Sequence, residues 1–420
     1  MTCKFLICSV VLTIISTILL LSTFVLDQRL IGLFFTDLAL RLGIEGNPTV
    51  IMELSIWSFL FLIKVGLVVG VGGTLSIWIS QRFFGKNRTD AILTNLTVLG
   101  TTIVILLIIG EFAVRLAFID ITTTGDNTSY FSRRWNKNRS SVRLNTWRFR
   151  EQEFELAKPD GIYRIAVIGD SITFGQGIEE EDRFTNLLGK YLNEKNNKYR
   201  YEVLNFGRPG AETIDHIVVL KDLVLKANPD FILLQWFIND FEGHDKSGRP
   251  KFMPLLPVKQ LHFILHRSSA LYYLINQQWN SLQELLALSG SYDEYMFRRF
   301  GNPKSSESRE AIQALKDFID LCNYQKTPLG IVLFPRIANL GKDYPLEYLH
   351  NRVLDICTHE GITCIDLRST YAPLLHNGEF KKLWVNQFDA HPGPLANHLV
   401  ASRLMEVFET IWLSIALDDK

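Results

Sequence analysis

The sequence has little cysteine, no net charge and no repeat, and these absences limit what the chain can be. Its 420 residues include five cysteines, and none of their spacings suggests a zinc site. The 44 basic and 44 acidic side chains cancel, so no overall field favours nucleic acid or an acidic partner. No internal repeat or low-complexity segment stands out. The length is sufficient for one or two globular domains with accessory segments.

Cysteine usage leaves two interpretations open. Cys357 and Cys364 can pair between the end of a helix and the next strand if the compartment is oxidising. The preferred interpretation is that both, together with Cys322, are buried thiols. Neither interpretation by itself indicates a function.

Long apolar runs are confined to residues 1–118, which we interpret as a membrane region with three transmembrane helices. The first run, 5–26, carries no charge, is long enough to cross a bilayer and lacks a signal-peptide cleavage site, so we expect it to be retained. The second and third spans are predicted at about 54–79 and 91–113. Lys64, near the middle of the second span, either marks a function or faces the other helices or the interface.

The orientation follows from the basic residues beside the spans. Three of them fall in the short loop after the second span, which predicts that this loop is cytoplasmic. Three crossings then place everything after Phe118 outside the cytoplasm, beginning with a basic linker at 119–160. Glu111 and Arg115, four residues apart, are expected to pair at the membrane boundary. The basic loop residues are Arg82, Lys86 and Arg88.

From residue 161 to 420 the pattern alternates between strands and helices, which predicts a parallel sheet covered on both faces. The region 254–300 interrupts the alternation with an aromatic-rich helical insertion. It is interpreted as a lid, a membrane-facing surface or an extra helical layer, and the last is slightly favoured. Strands are expected at 164–169, 201–205, 230–236, 330–334 and 363–366. Helices are expected at 183–194, 213–226, 308–323, 346–360 and 394–415.

Residues able to perform acyl transfer follow several of these strands. Ser171 comes directly after the first strand, and Asn239 follows the third. Asp389 and His391 precede the last helix. Because the carboxyl ends of parallel strands meet at one edge of a sheet, these groups are expected to gather there. A serine with a histidine base matches the requirements of nucleophilic catalysis.

These segments resemble the four sequence blocks of the SGNH, or GDSL, family of serine esterases and lipases. The stretches that carry the resemblance are GDSITFG at 169–175, NFGRPG at 205–210, FIND at 237–240 and DAH at 389–391. The resemblance covers about residues 164–415, roughly 250 residues. The resemblance implies a flavodoxin-like three-layer α/β/α domain with a central parallel sheet.

The resemblance also implies roles for individual residues. Ser171 is the nucleophile and His391 the general base, and the oxyanion hole comprises the N–H groups of Ser171 and Gly210 and the side chain of Asn239. Two positions depart from the family pattern. Phe237 replaces a glycine of the third block, which should tighten the pocket beside the oxyanion hole.

The second departure concerns the residue that orients the base. The family's aspartate lies three residues before the histidine, where this chain has Phe388, whereas Asp389 lies two before. Either the turn directs Asp389 towards the imidazole, or a backbone carbonyl takes over its role.

The leading hypothesis is a membrane-anchored, extracytoplasmic serine esterase that cleaves an acyl ester of an envelope polysaccharide or lipid. It needs no metal or organic cofactor, and its partners are the ester substrate and membrane lipid rather than nucleic acid. One alternative is an O-acyltransferase that uses the same residues with a sugar hydroxyl as acceptor. Another is an inactive domain that binds glycans or organises an envelope complex.

Overall fold

The computed structural model of the protein describes six stretches of the chain, which belong to two compact units. The smaller unit combines Met1–Ile121 with Gln260–Gln277, and the larger combines Thr122–Lys259 with Gln278–Lys420. The described residues are 89–118, 129–137, 144–195, 199–286, 288–340 and 343–413.

The larger unit is built on a parallel sheet of five strands. Its strand order is β2-β1-β3-β4-β5, and every neighbouring pair is parallel. This is the doubly wound, flavodoxin-like order, so the predicted fold class is confirmed for this part of the chain. The strands are β1 (Ile162–Gly169), β2 (Arg200–Gly207), β3 (Phe231–Trp236), β4 (Leu329–Leu333) and β5 (Thr363–Asp366).

Helices cover both faces of this sheet, which explains why its strands are apolar rather than alternating. Ile165, Ala166, Val167 and Ile168 of β1 are all fully buried. The helices of this unit up to β4 are α2 (Tyr130–Lys137), α3 (Ser171–Phe174), α4 (Phe184–Lys195), α5 (Thr213–Val219), α8 (Tyr292–Phe300) and α9 (Ser306–Tyr324). After β4 come α10 (Glu347–His359), α11 (Arg368–Tyr371) and α12 (Pro394–Val407).

The order of the strands determines which face each helix covers. The chain moves from β1 to β2 in one direction and from β2 to β3 in the other, and right-handed crossovers place the two connecting helices on opposite faces. Accordingly α4 packs with α12, and α5 packs with α9. The chain reverses direction between β1 and β3, and such a point is where ligands bind in open α/β sheets.

A two-stranded antiparallel hairpin lies just before α12 and is absent from the sequence predictions. It consists of β6 (Trp384–Asn386) and β7 (Asp389–Pro392). Gly393 N donates to Leu383 O at 2.7 Å, which closes the hairpin directly before α12. Strands of three and four residues are too short to show a period in the sequence.

The smaller unit contains α1 (Thr89–Ala117), α6 (Lys259–Ser268) and the first half of α7 (Ala270–Leu285). The predicted pair forms here, because Arg115 Nε donates to Glu111 Oε1 at 2.6 Å. The same carboxylate accepts from Ser269 Oγ at 2.6 Å and from the backbone N–H groups at the start of α7. A buried ion pair therefore caps α7.

The membrane region is only partly within the described residues. The predicted spans at 5–26 and 54–79 lie outside them, and the third, at about 91–113, lies on α1. Where the chain is described, no helix has both the length and the apolar character required to cross a bilayer. Membrane crossing therefore stays a prediction.

Two findings differ from the sequence analysis. Cys357 and Cys364 form a disulfide, so the preferred interpretation of three thiols is wrong, and only Cys322 among the described residues is a free, buried thiol. The end of α10 and the start of β5 bring the paired cysteines together. In addition, Phe149 and Arg150 are fully buried in the larger unit, although they fall in the segment assigned to the linker.

Candidate active site

Ser171, His391 and Asp389 form a continuous line of hydrogen bonds. Ser171 Oγ lies 3.1 Å from His391 Nε2, and His391 Nδ1 lies 2.6 Å from Asp389 Oδ1. A proton on Nδ1 that is donated to the carboxylate leaves the Nε2 lone pair facing the serine hydroxyl. Residues 220 positions apart are thus brought into one hydrogen-bonded line, which is the arrangement that the resemblance expects of a nucleophile, a base and an orienting acid.

The short strand β7 explains how a two-residue spacing aligns the acid with the base. Residues i and i+2 of a strand point to the same face, so Asp389 and His391 lie on one side of β7. Asp389 Oδ1 also accepts from the backbone N–H of His391 at 3.1 Å, which keeps the carboxylate beside the ring. The sequence left two alternatives for the hydrogen-bond partner of the imidazole, the Asp389 carboxylate and a backbone carbonyl. In the structure it is the Asp389 carboxylate.

The surroundings of His391 favour its protonated form. Desolvation lowers the pKa of the imidazole, but the hydrogen bond and the charge of Asp389, together with the charge of Asp170, raise it above the ordinary value of 6.5. The Asp389 side chain is 6% exposed and that of His391 is 31% exposed. The base is therefore accessible from solvent, whereas the acid that orients it is not.

Ser171 is the first residue of α3, and two side chains fix the start of this helix. Asp170 is the N-cap, and its Oδ1 accepts from the N–H of Ile172 at 2.9 Å. Gln235 Oε1, from β3, accepts from Asp170 N at 3.1 Å and from Thr173 Oγ1 at 2.9 Å. The nucleophile is therefore anchored to the neighbouring strand.

The end of α3 is held by a buried arginine. Arg150 Nη1 donates to Gly175 O at 2.5 Å, and its Nη2 donates to Ile178 O at 2.9 Å. Gly175 has a left-handed φ of 72°, and an added Cβ would overlap the side chain of Arg183. A glycine is therefore required where the chain leaves the serine.

The predicted oxyanion donors follow three neighbouring strands of the sheet, β1, β2 and β3, at the same edge. The N–H groups in the first turn of a helix have no partner within that helix, which suits the N–H of Ser171 to this role. Gly210 lies in an exposed turn with a φ of 78°. Asn239 Nδ2 donates to Asp170 Oδ2 at 3.2 Å, which engages one of its two N–H bonds and holds the amide beside the start of α3.

A buried network supports the loop that carries Asn239. Asp240 Oδ2 accepts from Phe237 N at 2.8 Å, and Asp240 Oδ1 accepts from Thr213 Oγ1 at 2.9 Å. His216, which is also buried, lies 3.3 Å from the same Oδ1 through its Nε2. The aspartate of the third block therefore connects its own loop to α5.

Phe388 stands at the position where the resemblance expects an aspartate, and it has a structural role of its own. Its ring stacks on Phe131 of α2 with centroids 5.6 Å apart. Phe131 is fully buried. An aromatic pair therefore holds the loop between β6 and β7 against the segment that precedes the α/β sheet.

The one group of potential metal ligands found in the described residues lies outside this site. It consists of Glu212, Asp215 and His244. Lys246 Nζ already forms an ion pair with Glu212 Oε1 at 3.0 Å, and His244 Nε2 lies 3.2 Å from Asp215 Oδ1. Glu212 is therefore already paired with a cation of the chain itself, and we assign the cluster no metal.

The sequence analysis did not single out Gln235 or Arg150 as site residues. A signal for Gln235 was present, since it is the only polar residue in the apolar strand FILLQW, and a buried amide needs partners. The signal for Arg150 was hidden, because it is one of several basic residues in an apparently solvated segment. Only its burial distinguishes it from the others.

No protein-family model and no curated protein matches the sequence. Among solved structures, an acetyl xylan esterase is 17% identical and covers 58% of this chain and 98% of its own, with a TM-score of 0.37. A putative lipolytic protein of the G-D-S-L family from Desulfitobacterium hafniense DCB-2 is 12% identical over 58% and 99%, with a TM-score of 0.34. A catalytic mutant of an acetylxylan esterase from Geobacillus stearothermophilus is 14% identical over 60% and 95%, with a TM-score of 0.37. At such values the function rests on the site geometry alone.

Proposed function

We propose that the protein is a serine esterase of the SGNH type, anchored in a membrane with its catalytic domain outside the cytoplasm. The observation that carries the proposal is the line of hydrogen bonds from Ser171 through His391 to Asp389. Its position at the reversal point of a parallel sheet, with helix and loop N–H groups beside it, supports acyl transfer in particular.

The reaction proceeds through an acyl-enzyme. His391 Nε2 takes the proton of Ser171 Oγ as the oxygen attacks the ester carbonyl carbon. The N–H groups of Ser171 and Gly210 and the amide of Asn239 stabilise the resulting oxyanion. The tetrahedral intermediate collapses as the C–O bond to the alcohol breaks, and the alcohol leaves with the proton from His391.

Deacylation repeats these steps with water. His391 removes a proton from the water as its oxygen attacks the acyl carbon, and the carboxylic acid is released as Ser171 Oγ regains a proton. The substrate is an acyl or acetyl ester of an envelope polysaccharide or lipid. The apolar runs near the N-terminus support this assignment because they would keep the domain beside such molecules.

A fluorophosphonate probe tests the nucleophile. We expect the wild type to be labelled and Ser171→Ala to be unlabelled, while Ser402→Ala, which alters an exposed serine on α12, is labelled like the wild type. Equal labelling of the wild type and Ser171→Ala would contradict the proposal. Product analysis with and without a saccharide acceptor then separates hydrolysis from acyl transfer.

The location is tested separately with a reporter fused after Lys420. The proposal expects an extracytoplasmic signal, and the Cys357–Cys364 disulfide supports it because such bonds persist in oxidising compartments. A cytoplasmic signal would refute the orientation and leave the chemistry of Ser171 unaffected.

A further inference from the structure

Helix α6 (Lys259–Ser268) has an unusual surface for a helix in contact with water. None of its residues is buried, yet it carries large apolar side chains. Leu261 is 44% exposed, Phe263 47% and Ile264 58%. Leu261 and Ile264 are three residues apart and therefore share a face of the helix.

The other side of α6 contacts its own unit. His262 Nδ1 lies 2.9 Å from the hydroxyl of Tyr272, and the ring of His266 lies 5.2 Å from that of Tyr273. Both tyrosines belong to α7. The helix is therefore held on its histidine side by packing within the smaller unit, and the exposure of Leu261 and Ile264 on another side is part of a fixed arrangement.

The charge of the surrounding sequence has one sign. From Lys251 to Gln283 there is no Asp or Glu, whereas Lys259 and Arg267 lie at the two ends of α6. The Arg267 guanidinium lies 5.0 Å from the ring centroid of Phe263, so this cation packs against an apolar side chain of the same helix. Exposed apolar side chains bordered by cations, in a stretch of sequence without Asp or Glu, match the interface of an anionic bilayer.

Helix α1, which belongs to the same smaller unit, also exposes large apolar side chains. On α1, five large aliphatic side chains are between 47% and 61% exposed. Because successive residues of a helix are 100° apart, side chains at these five positions point to several sides of α1 rather than to one stripe. The residues are Ile103, Ile105, Leu106, Leu107 and Ile109.

We propose that α6 lies in the interface of an anionic phospholipid bilayer, with Leu261 and Ile264 among the acyl chains and with Lys259 and Arg267, which lie on the same side of the helix as Phe263, at the headgroups. The inference rests on the proposed membrane location and adds a second contact, made by the insertion rather than by the N-terminal region. Through this contact the insertion holds the smaller unit on the lipid surface.

Spin labels on the full chain reconstituted in vesicles test the contact. Ile264→Cys probes α6, and Val218→Cys, which is 49% exposed on α5 of the larger unit, is the matched control. Both are made in a chain in which Cys3, Cys8 and Cys322 are replaced by alanine. In phosphatidylcholine–phosphatidylglycerol vesicles we expect the label at 264 to be relaxed more by oxygen than by a water-soluble nickel chelate, and the label at 218 to show the reverse.

The charge requirement is tested on the same labelled protein. Lys259→Glu with Arg267→Glu should reduce the oxygen accessibility at 264 in these vesicles, whereas Lys304→Glu with Arg309→Glu on the larger unit should not. A label at 264 that is as accessible to the nickel chelate as the label at 218 would overturn the inference. So would a label at 264 shielded from both reagents, because that indicates a protein partner.

Failure of this inference is distinguishable from failure of the proposed function. Fluorophosphonate labelling of Ser171 is measured on the same vesicles, and it depends on the larger unit. Labelled enzyme with a water-exposed position 264 contradicts only the lipid contact. Unlabelled enzyme with position 264 in lipid contradicts only the esterase.

Discussion

At the scale of single residues, the site depends on one short distance. The 2.6 Å contact between His391 Nδ1 and Asp389 Oδ1 orients the imidazole and raises its pKa. The base functions only when Nε2 is unprotonated. Because its pKa is raised, His391 becomes protonated, and activity is lost on acidification, at a higher pH than for an ordinary histidine. The acid limb of kcat/KM should therefore have its midpoint above 6.5, the ordinary value for histidine.

Asp389→Asn should move that limb to lower pH and reduce kcat about 10²- to 10⁴-fold. The substitution removes the Asp389 charge, which raises the pKa of His391, and leaves desolvation, which lowers it, and the charge of Asp170, which raises it. The measurement is the pH profile of kcat/KM on a soluble ester. Asp222→Asn, which alters an exposed carboxylate, is the control. An acid limb that stays in place in Asp389→Asn would contradict this account of the site.

Arg150→Met should destabilise the larger unit by about 2–4 kcal/mol, because it leaves the buried carbonyl groups of Gly175 and Ile178 without their charged donor. Denaturant unfolding measures the loss. Arg309→Met, on the exposed face of α9, should stay within about 0.5 kcal/mol of the wild type. Similar losses for the two variants would show that burial of Arg150 is incidental.

At the scale of elements, the approach of β2 to α3 positions the nucleophile. Gly207, at the end of β2, pairs with Gly169 in the sheet, and an added Cβ would overlap the backbone of Thr173 and Phe174. Asn205 Nδ2 donates to Thr173 O and fixes the same turn from the side. The helix that carries Ser171 therefore rests directly on β2.

Gly207→Ala should displace α3, costing about 1–3 kcal/mol of stability and lowering kcat. Gly361→Ala is the control, because Gly361 has a positive φ, 69°, and an added Cβ there meets nothing within 4 Å. That variant should lose about 1 kcal/mol from backbone strain and keep its kcat. If kcat falls in proportion to the lost stability to the same extent in both variants, the close approach of Gly207 to the backbone of α3 has no specific effect on Ser171.

At the scale of the whole molecule, chain segments distant in sequence form each unit. In the smaller unit, Glu111 and Arg115 of α1 contact the start of α7, some 155 residues later in the sequence. The Glu111 carboxylate accepts from Ser269 Oγ and Ala270 N, and Arg115 Nη2 donates to Ser268 O, directly before α7. This buried pair ties the insertion to the N-terminal region.

Glu111→Gln should accelerate amide hydrogen exchange at residues 270–272 about 100-fold, because the amide removes the charge that pairs with Arg115 and weakens the acceptors of the N–H groups at the start of α7. Exchange is followed by mass spectrometry. Glu284→Gln, on the exposed side of α7, should leave these amides unchanged. Unchanged exchange in Glu111→Gln would mean that other contacts hold the segment.

Much of the larger unit was predictable because its signals are local. Short segments rich in apolar residues mark the five parallel strands, and each predicted strand has its counterpart in the sheet. Ser171 was found because it follows such a strand, and His391 because it precedes the last helix, each within a recognisable block. The hairpin β6–β7 and the burial of Arg150 were not predicted. The strands of the hairpin are too short to show a period, and the burial of Arg150 depends on packing between segments distant in the sequence.

The sequence by itself determined the parallel α/β sheet and the residues at its edge, because periodicity and turn residues are properties of neighbouring positions. Tertiary structure alone decided that a two-residue spacing brings the carboxylate of Asp389 to the imidazole of His391, since both lie on a strand whose side chains alternate. It also decided that Cys357 and Cys364 pair, and that Arg150 and Gln235 hold the nucleophile. Each of these depends on which distant segments meet.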